Sequence, residues 1–345
     1  MGANNRGKSP NSMSPIFTKF AASFTLQNYD ILNTPVENPS RSSFYTVWGL
    51  VFVLIFIFLF QLIFYFLAVF SMAGFYNMGF SEVANLISEP DGTAKAINIA
   101  RAVNFISFGG YMFLPAALFA VINRTGIVHE GGLNVKPKFN VVFICLAILA
   151  LCIPFVDFLT AWVQSIEWPQ YVHFLAEKYE HARTEHIDTI LDMHAPVELA
   201  VCLVLVALLP ALFEELLFRG VLMNIFKHIT GKRWTPVFLQ ALVFAVLHFT
   251  VYELPAIFLM GILFGIVAMR TGTIWYGVIM HFVFNSTTVV VAYLNHMAFE
   301  KTGIFGEYGN LKLSPFLALL SVFGLFTLLR MFYKLTSKPS NPVKS

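Results

Sequence analysis

Residues 209–220, LPALFEELLFRG, set Glu214, Glu215 and Arg219 inside a run that is overwhelmingly Leu, Val, Ala and Phe. Two later stretches, FAVLH (244–248) and HFVFN (281–285), put His248 and His281 into further apolar runs, the second followed one helical turn on by Asn285. A carboxylate, two imidazoles and an amide are together a set that activates water. The carboxylate removes a proton from water that an imidazole orients, while an imidazole and an amide donate to a developing oxyanion. That chemistry is amide hydrolysis without a protein nucleophile. The HExxH, GxSxG and GxGD signatures of other hydrolases do not occur in this chain. Two histidines and a glutamate can equally hold zinc with water in the open position, and the residues alone leave that alternative standing.

An ionised group at the bilayer centre costs about 2.5–3.5 kcal/mol on insertion scales, so such residues mark functional sites or bundle hydrogen bonds. Glu214 and Glu215 are helical neighbours and point about 100° apart. Glu215 and Arg219 stand at i and i+4 with the acid first, the favourable order for a pair. The position four on from Glu214 is Phe218 and four back is Pro210, so Glu214 has no counter-ion on its own helix. A carboxylate desolvated without a counter-charge is a stronger base than one in water, which suits proton removal. Pro210 predicts a kink one turn earlier. Phe244 and His248 share a helical face, with Gln240 a further turn back.

The elements that must position these groups are membrane helices. The chain of 345 residues is 57% hydrophobic and only 12% charged, whereas soluble domains carry about 25% charge. Hydropathy predicts an all-α polytopic bundle of about eight transmembrane helices, near 44–74, 103–123, 140–164, 197–227, 234–250, 254–270, 273–294 and 314–334. A polar tail (1–43) precedes this domain (44–335) and a short one (336–345) follows it. Ile16, Phe17, Phe20 and Phe24 recur at helical spacing in the first tail and suit a membrane surface. Basic residues concentrate in alternate loops, around Arg124–Lys138, Lys227–Arg233, Arg270 and the C-terminus, which places both termini in the cytoplasm by the positive-inside rule. The segment 165–196 then faces outside as an amphipathic surface helix, and its four histidines read as a solvated face. Gly261 and Gly265 form a GxxxG that suits close helix packing. Cys145, Cys152 and Cys202 all lie in apolar runs and read as small core residues. No internal repeat supports a transporter, and no basic cluster with interleaved aromatics suggests nucleic acid.

Depth ties the three motifs together. Glu214 stands 13 residues from Lys227, His248 stands 15 from Arg233 and His281 stands 11 from Arg270. These are about 20, 22 and 16 Å into a hydrocarbon core of about 30 Å. Three helices deliver the groups to one level.

EELLFR, FAVLH and HFVFN resemble the EExxxR, FxxxH and HxxxN motifs of the CAAX-processing and bacteriocin-processing (CPBP, or Abi) membrane proteases, which include type II CAAX prenyl endopeptidases. The resemblance covers about residues 197–294 and extends to the approach RTGTIWYGVIM before the third motif. It implies an integral multi-pass endopeptidase, in the cell membrane if bacterial, with its site open to the cytoplasm. By position, Glu214 and His248 would activate water, His281 and Asn285 would hold the oxyanion, and Glu215, Arg219 and Phe244 would support the site. The resemblance covers metal-dependent and metal-free readings of the family, and the reading adopted is the metal-free one, with no cofactor. The implied partners are the bilayer and a peptide or protein substrate, prenylated or unmodified. The alternative is a membrane binding or regulatory protein, such as a bacteriocin self-immunity factor, which works by contact alone.

Overall fold

The computed structural model describes residues 44–295 and 315–337. The N-terminal tail, with its spaced Ile16, Phe17, Phe20 and Phe24, and residues 338–345 lie outside the described residues. The described chain holds helices and no strand. In order, they are α1 (Val47–Tyr76), α2 (Phe80–Ser88), α3 (Ala94–Ile122), α4 (Ile127–Glu130), α5 (Phe139–Gln164), α6 (Gln170–Ile190), α7 (Pro196–Thr230), α8 (Thr235–Val246), α9 (Leu254–Thr271), α10 (Trp275–Leu294) and α11 (Pro315–Leu335). Among the described residues, α1, α3, α5, α7, α9, α10 and most of α11 are long and apolar enough to cross a membrane. The protein is an integral multi-pass membrane protein. The fifth expected span differs: α8 has only 12 residues, about 18 Å, against a core of about 30 Å.

The reason lies in the residues that follow it. Phe249 adopts a left-handed backbone, with φ of 53°, which a helix cannot contain. Pro255 sits in the first turn of α9, where its missing N–H costs nothing. Between them, residues 247–253 run as turn and loop.

Prolines also explain two irregular turns. The segments Gly109–Phe113 in α3 and Leu203–Leu208 in α7 are π-helical. Each lies just before a proline, Pro115 or Pro210. Proline cannot donate to the carbonyl four residues back, and a wider turn accommodates the lost bond. Where Pro210 predicts a kink, the helix therefore widens. A third π segment, Glu215–Leu222, carries the charged motif itself, and all eight of its residues are buried.

Close packing joins α8 to α9 through the GxxxG. A Cβ at 261 would stand 3.0 Å from the Ala241 Cβ, and one at 265 only 2.5 Å from Gln240 Nε2. The bare glycines let the fully buried Gln240 donate from Nε2 to the carbonyls of Val237 and Gly261, each at 2.9 Å.

Polar clusters close the bundle at both ends. At the end carrying Lys227 and Arg233, buried Glu130 accepts from the Tyr45 hydroxyl, from Thr125 Oγ1 and, at 3.2 Å, from Asn224 Nδ2. Burial and the Glu130 charge push the Tyr45 phenol far above its usual range. At the opposite end, Arg101 donates to the carbonyls of Ile190 and Asp192 and to Glu198 Oε1, at 2.9–3.0 Å. The start of α7 is thereby pinned to α3 and to the end of α6. The helix expected within 165–196 is α6, where His173 and His181 each pair with a carboxylate one turn on.

The α8–α9 seam makes a direct prediction. Gly265→Val should destabilise the purified protein by about 1–3 kcal/mol by displacing Gln240, read as a lower thermal midpoint in detergent. Gly74→Ala, where an added Cβ meets nothing within 4 Å, should not lower it. Equal effects would contradict the seam.

Candidate active site

The centre of the site is an ion pair closed off from bulk solvent. Arg219 NH1 donates to Glu215 Oε1 at 2.7 Å, and both side chains are fully buried. The guanidinium carbon lies 4.4 Å from the Phe244 ring centroid, 5.4 Å from Phe264 and 6.0 Å from Phe218. Its Nε and NH2 have no hydrogen-bond acceptor among the described residues. The negative ring faces take that place, an attraction of about 2 kcal/mol or more when desolvated. Three helices, α7, α8 and α9, thus contribute to one cation's surroundings.

A fourth helix, α10, brings His281. Its Nδ1 lies 3.3 Å from Glu215 Oε1 and its Nε2 lies 3.7 Å from Glu214 Oε2. The buried Glu214 therefore has a counter-group after all, supplied from another helix rather than its own. Its Oε2 is buried and accepts no hydrogen bond among the described residues. Phe264 packs on His281 at 5.6 Å. One turn before His281, a Cβ at Gly277 would stand 2.5 Å from Glu215 Oε2, so only glycine leaves room for the carboxylate there. One turn after it, Asn285 is half-buried on the same helix.

His248 stands just past the end of α8 rather than within it, yet it keeps the expected relation to Phe244. Its Nδ1 bonds the Phe244 carbonyl at 2.7 Å, and the two rings lie 4.5 Å apart. A carbonyl only accepts, so Nδ1 carries a proton, and in the neutral tautomer this leaves the lone pair on Nε2. Phe244 also approaches His281, at 6.3 Å, and Phe218, at 4.9 Å. It is the shared wall between both imidazoles and the guanidinium. His248 and Glu214 do not touch within ion-pair distance.

The structure thus gathers Glu214, Glu215, Arg219, Phe244, His248 and His281 into one network, with Asn285 beside it. Two members were missed in the sequence. Phe264 reads as one more core aromatic. Gly277 offers a signal, since a glycine inside a helix one turn before a motif histidine asks for a packing reason. Among the described residues no three His, Cys, Asp or Glu side chains are grouped so as to hold a metal ion. Glu215 in particular is committed to Arg219.

Fold and site together define a polytopic helical membrane protein built around a buried carboxylate, imidazole and guanidinium cluster. Residues 196–287 match a family model described as type II CAAX prenyl endopeptidase Rce1-like. The matched segment begins at the first residue of α7 and takes in all seven sequence-predicted site residues. No curated protein and no solved structure matches the chain significantly. The family match supports a membrane protease activity of that general kind.

The ion pair can be tested by a double-mutant cycle. Arg219→Gln or Glu215→Gln alone should each destabilise by about 3–5 kcal/mol, because an unpaired charge or its partner is left buried. The double variant should cost clearly less than the sum, measured by unfolding in detergent. Strict additivity would show that the two side chains do not act as a pair.

Proposed function

We propose that the protein is an intramembrane endopeptidase in which a protein carboxylate delivers water to a peptide bond. The observation that carries this reading is Glu214: a buried carboxylate with an unbonded oxygen, 3.7 Å from an imidazole. A purely structural carboxylate at such depth is costly.

A water between Glu214 and His248 Nε2 completes the reacting set. Glu214 takes one of its protons as the oxygen adds to the scissile carbonyl carbon. The carbonyl oxygen becomes an oxyanion, which His281 Nε2–H and the Asn285 amide stabilise by donation. Glu215 supports that role: it accepts from Nδ1–H of His281, so the ring donates from Nε2–H in its doubly protonated form, with Nε2 facing the reacting groups. Glu214 then returns its proton to the leaving nitrogen as the C–N bond breaks, releasing a carboxylic acid and an amine, which ionise to a carboxylate and an ammonium in water. The loop 247–253 fits the same picture, because non-helical backbone at membrane depth is tolerated only when buried in protein or lining a water-filled cavity.

The substrates are peptides or protein C-termini, prenylated or not, that enter from the end bearing Lys227, Arg233 and Arg270. The positive-inside rule makes that end cytoplasmic. The test compares membrane-protein and secreted-peptide termini in native cells expressing wild type or Glu214→Gln at matched abundance. Termini that vanish with the Gln variant identify both proteolysis and substrate. Identical termini, with the phenotype retained, would overturn the enzyme reading in favour of a binding or regulatory protein.

A further inference from the structure

The short α8 leaves a step in the bundle. Both α8 and α9 have one end at the basic face, beside Arg233 and at Arg270. With 12 and 18 residues, they reach about 18 and 27 Å from it. Residues 247–253 cross the difference of about 9 Å. His248 lies at the inner end of this loop and Tyr252 and Glu253 lie at the outer end.

The outer end is gripped by α6. Tyr252 is buried against Val163 and Ala176, with Leu159 and Trp168 packed around them. Its hydroxyl shares a hydrogen bond of 2.5 Å with His173 Nδ1, and His173 Nε2 is held 3.1 Å from Glu177 Oε1. Arg183 NH2 donates to Glu253 Oε1 at 2.8 Å. At the inner end, the sole hydrogen bond of His248 among the described residues is the one from Nδ1 to Phe244. That bond and the Phe244 ring hold His248 against the end of α8, and the loop that continues from it sets how that end sits.

We infer that α6 is a positioning element of the site: by holding Tyr252 and Glu253 it fixes the depth and orientation of His248. Tyr252 and His173 are positioning residues, not catalytic ones, since neither reaches the Glu214 cluster. Tyr252 stands four positions after His248, a reach of at most about 14 Å. A shift at the clasp therefore acts on the imidazole through a short segment. The inference rests on the proteolytic reading for its effect on rate, and on geometry alone for its effect on His248.

The experiment uses the full-length protein purified in detergent, with Tyr252→Phe, Tyr252→Leu, His173→Ala, Arg183→Gln and Glu214→Gln variants. One readout is carbethoxylation of His248 by diethyl pyrocarbonate, followed by peptide mass mapping with exposed His129 as internal reference. The other is kcat and KM on the peptide found by the termini comparison. Loosening the clasp should change the His248 modification rate at least about threefold and lower kcat about ten- to a hundredfold, as expected for a misplaced group. KM should stay within about twofold, because substrate binding is untouched. His173→Ala and Tyr252→Phe should not add to one another. If Tyr252→Leu does not fold, Tyr252→Phe and the solvent-facing Arg183→Gln still decide the matter. Wild-type His248 reactivity and kcat in those variants, with Glu214→Gln inactive in the same series, would overturn the inference. Full activity in Glu214→Gln would overturn the proteolytic reading instead, and His248 reactivity would still judge the clasp.

Discussion

A guanidinium and a carboxylate sealed away from water must neutralise each other on the spot, and the rest of this bundle follows from that requirement. Removing two ions from water costs several kcal/mol each, and only near-contact geometry repays it. Glu215 and Arg219 meet at 2.7 Å, on a π-helical stretch whose every residue is buried. The surplus donors of the arginine face Phe218, Phe244 and Phe264 instead of water. Those rings come from three helices, so the charge that endangers the fold also sets its register.

The same pair reaches the chemistry. Glu215 Oε1 takes Arg219 on one side and faces His281 Nδ1 on the other. This leaves the opposite nitrogen of His281 turned towards Glu214. Gly277 is the space that Glu215 occupies. In this account the supporting acid orients the oxyanion-binding imidazole as well as bracing its own helix. Neighbouring glutamates, about 100° apart, serve two helices at once.

Much of this was legible in the sequence because membrane helices are local objects. Long apolar runs, the i, i+4 spacing of Glu215 and Arg219, and distances counted from flanking lysines and arginines all report on one helix at a time. They located the spans and brought Glu214, His248 and His281 to a common level. What escaped depends on pairs of helices. Glu214 looked unpaired because its partner lies 67 positions on in the chain, by subtraction from His281. Phe264 looked like core because nothing local says which cation it covers. The fifth span looked full length because Phe249, Val251 and Tyr252 are apolar enough to continue a hydropathy window. A left-handed backbone at Phe249 and burial of Tyr252 under α6 end it instead. Pro210 announced an irregular turn, but its neighbours decided that the turn would widen.

In the proposed mechanism Glu214 acts on water and never bonds to the substrate. The most direct measurement of this is a first turnover by the purified protein in water enriched in oxygen-18, with mass analysis of product and enzyme. Direct attack by water predicts one heavy oxygen at the new C-terminus in that first turnover and none in the peptide containing Glu214. A first product without heavy oxygen, with the label found on Glu214, would show a carboxylate nucleophile and contradict the account.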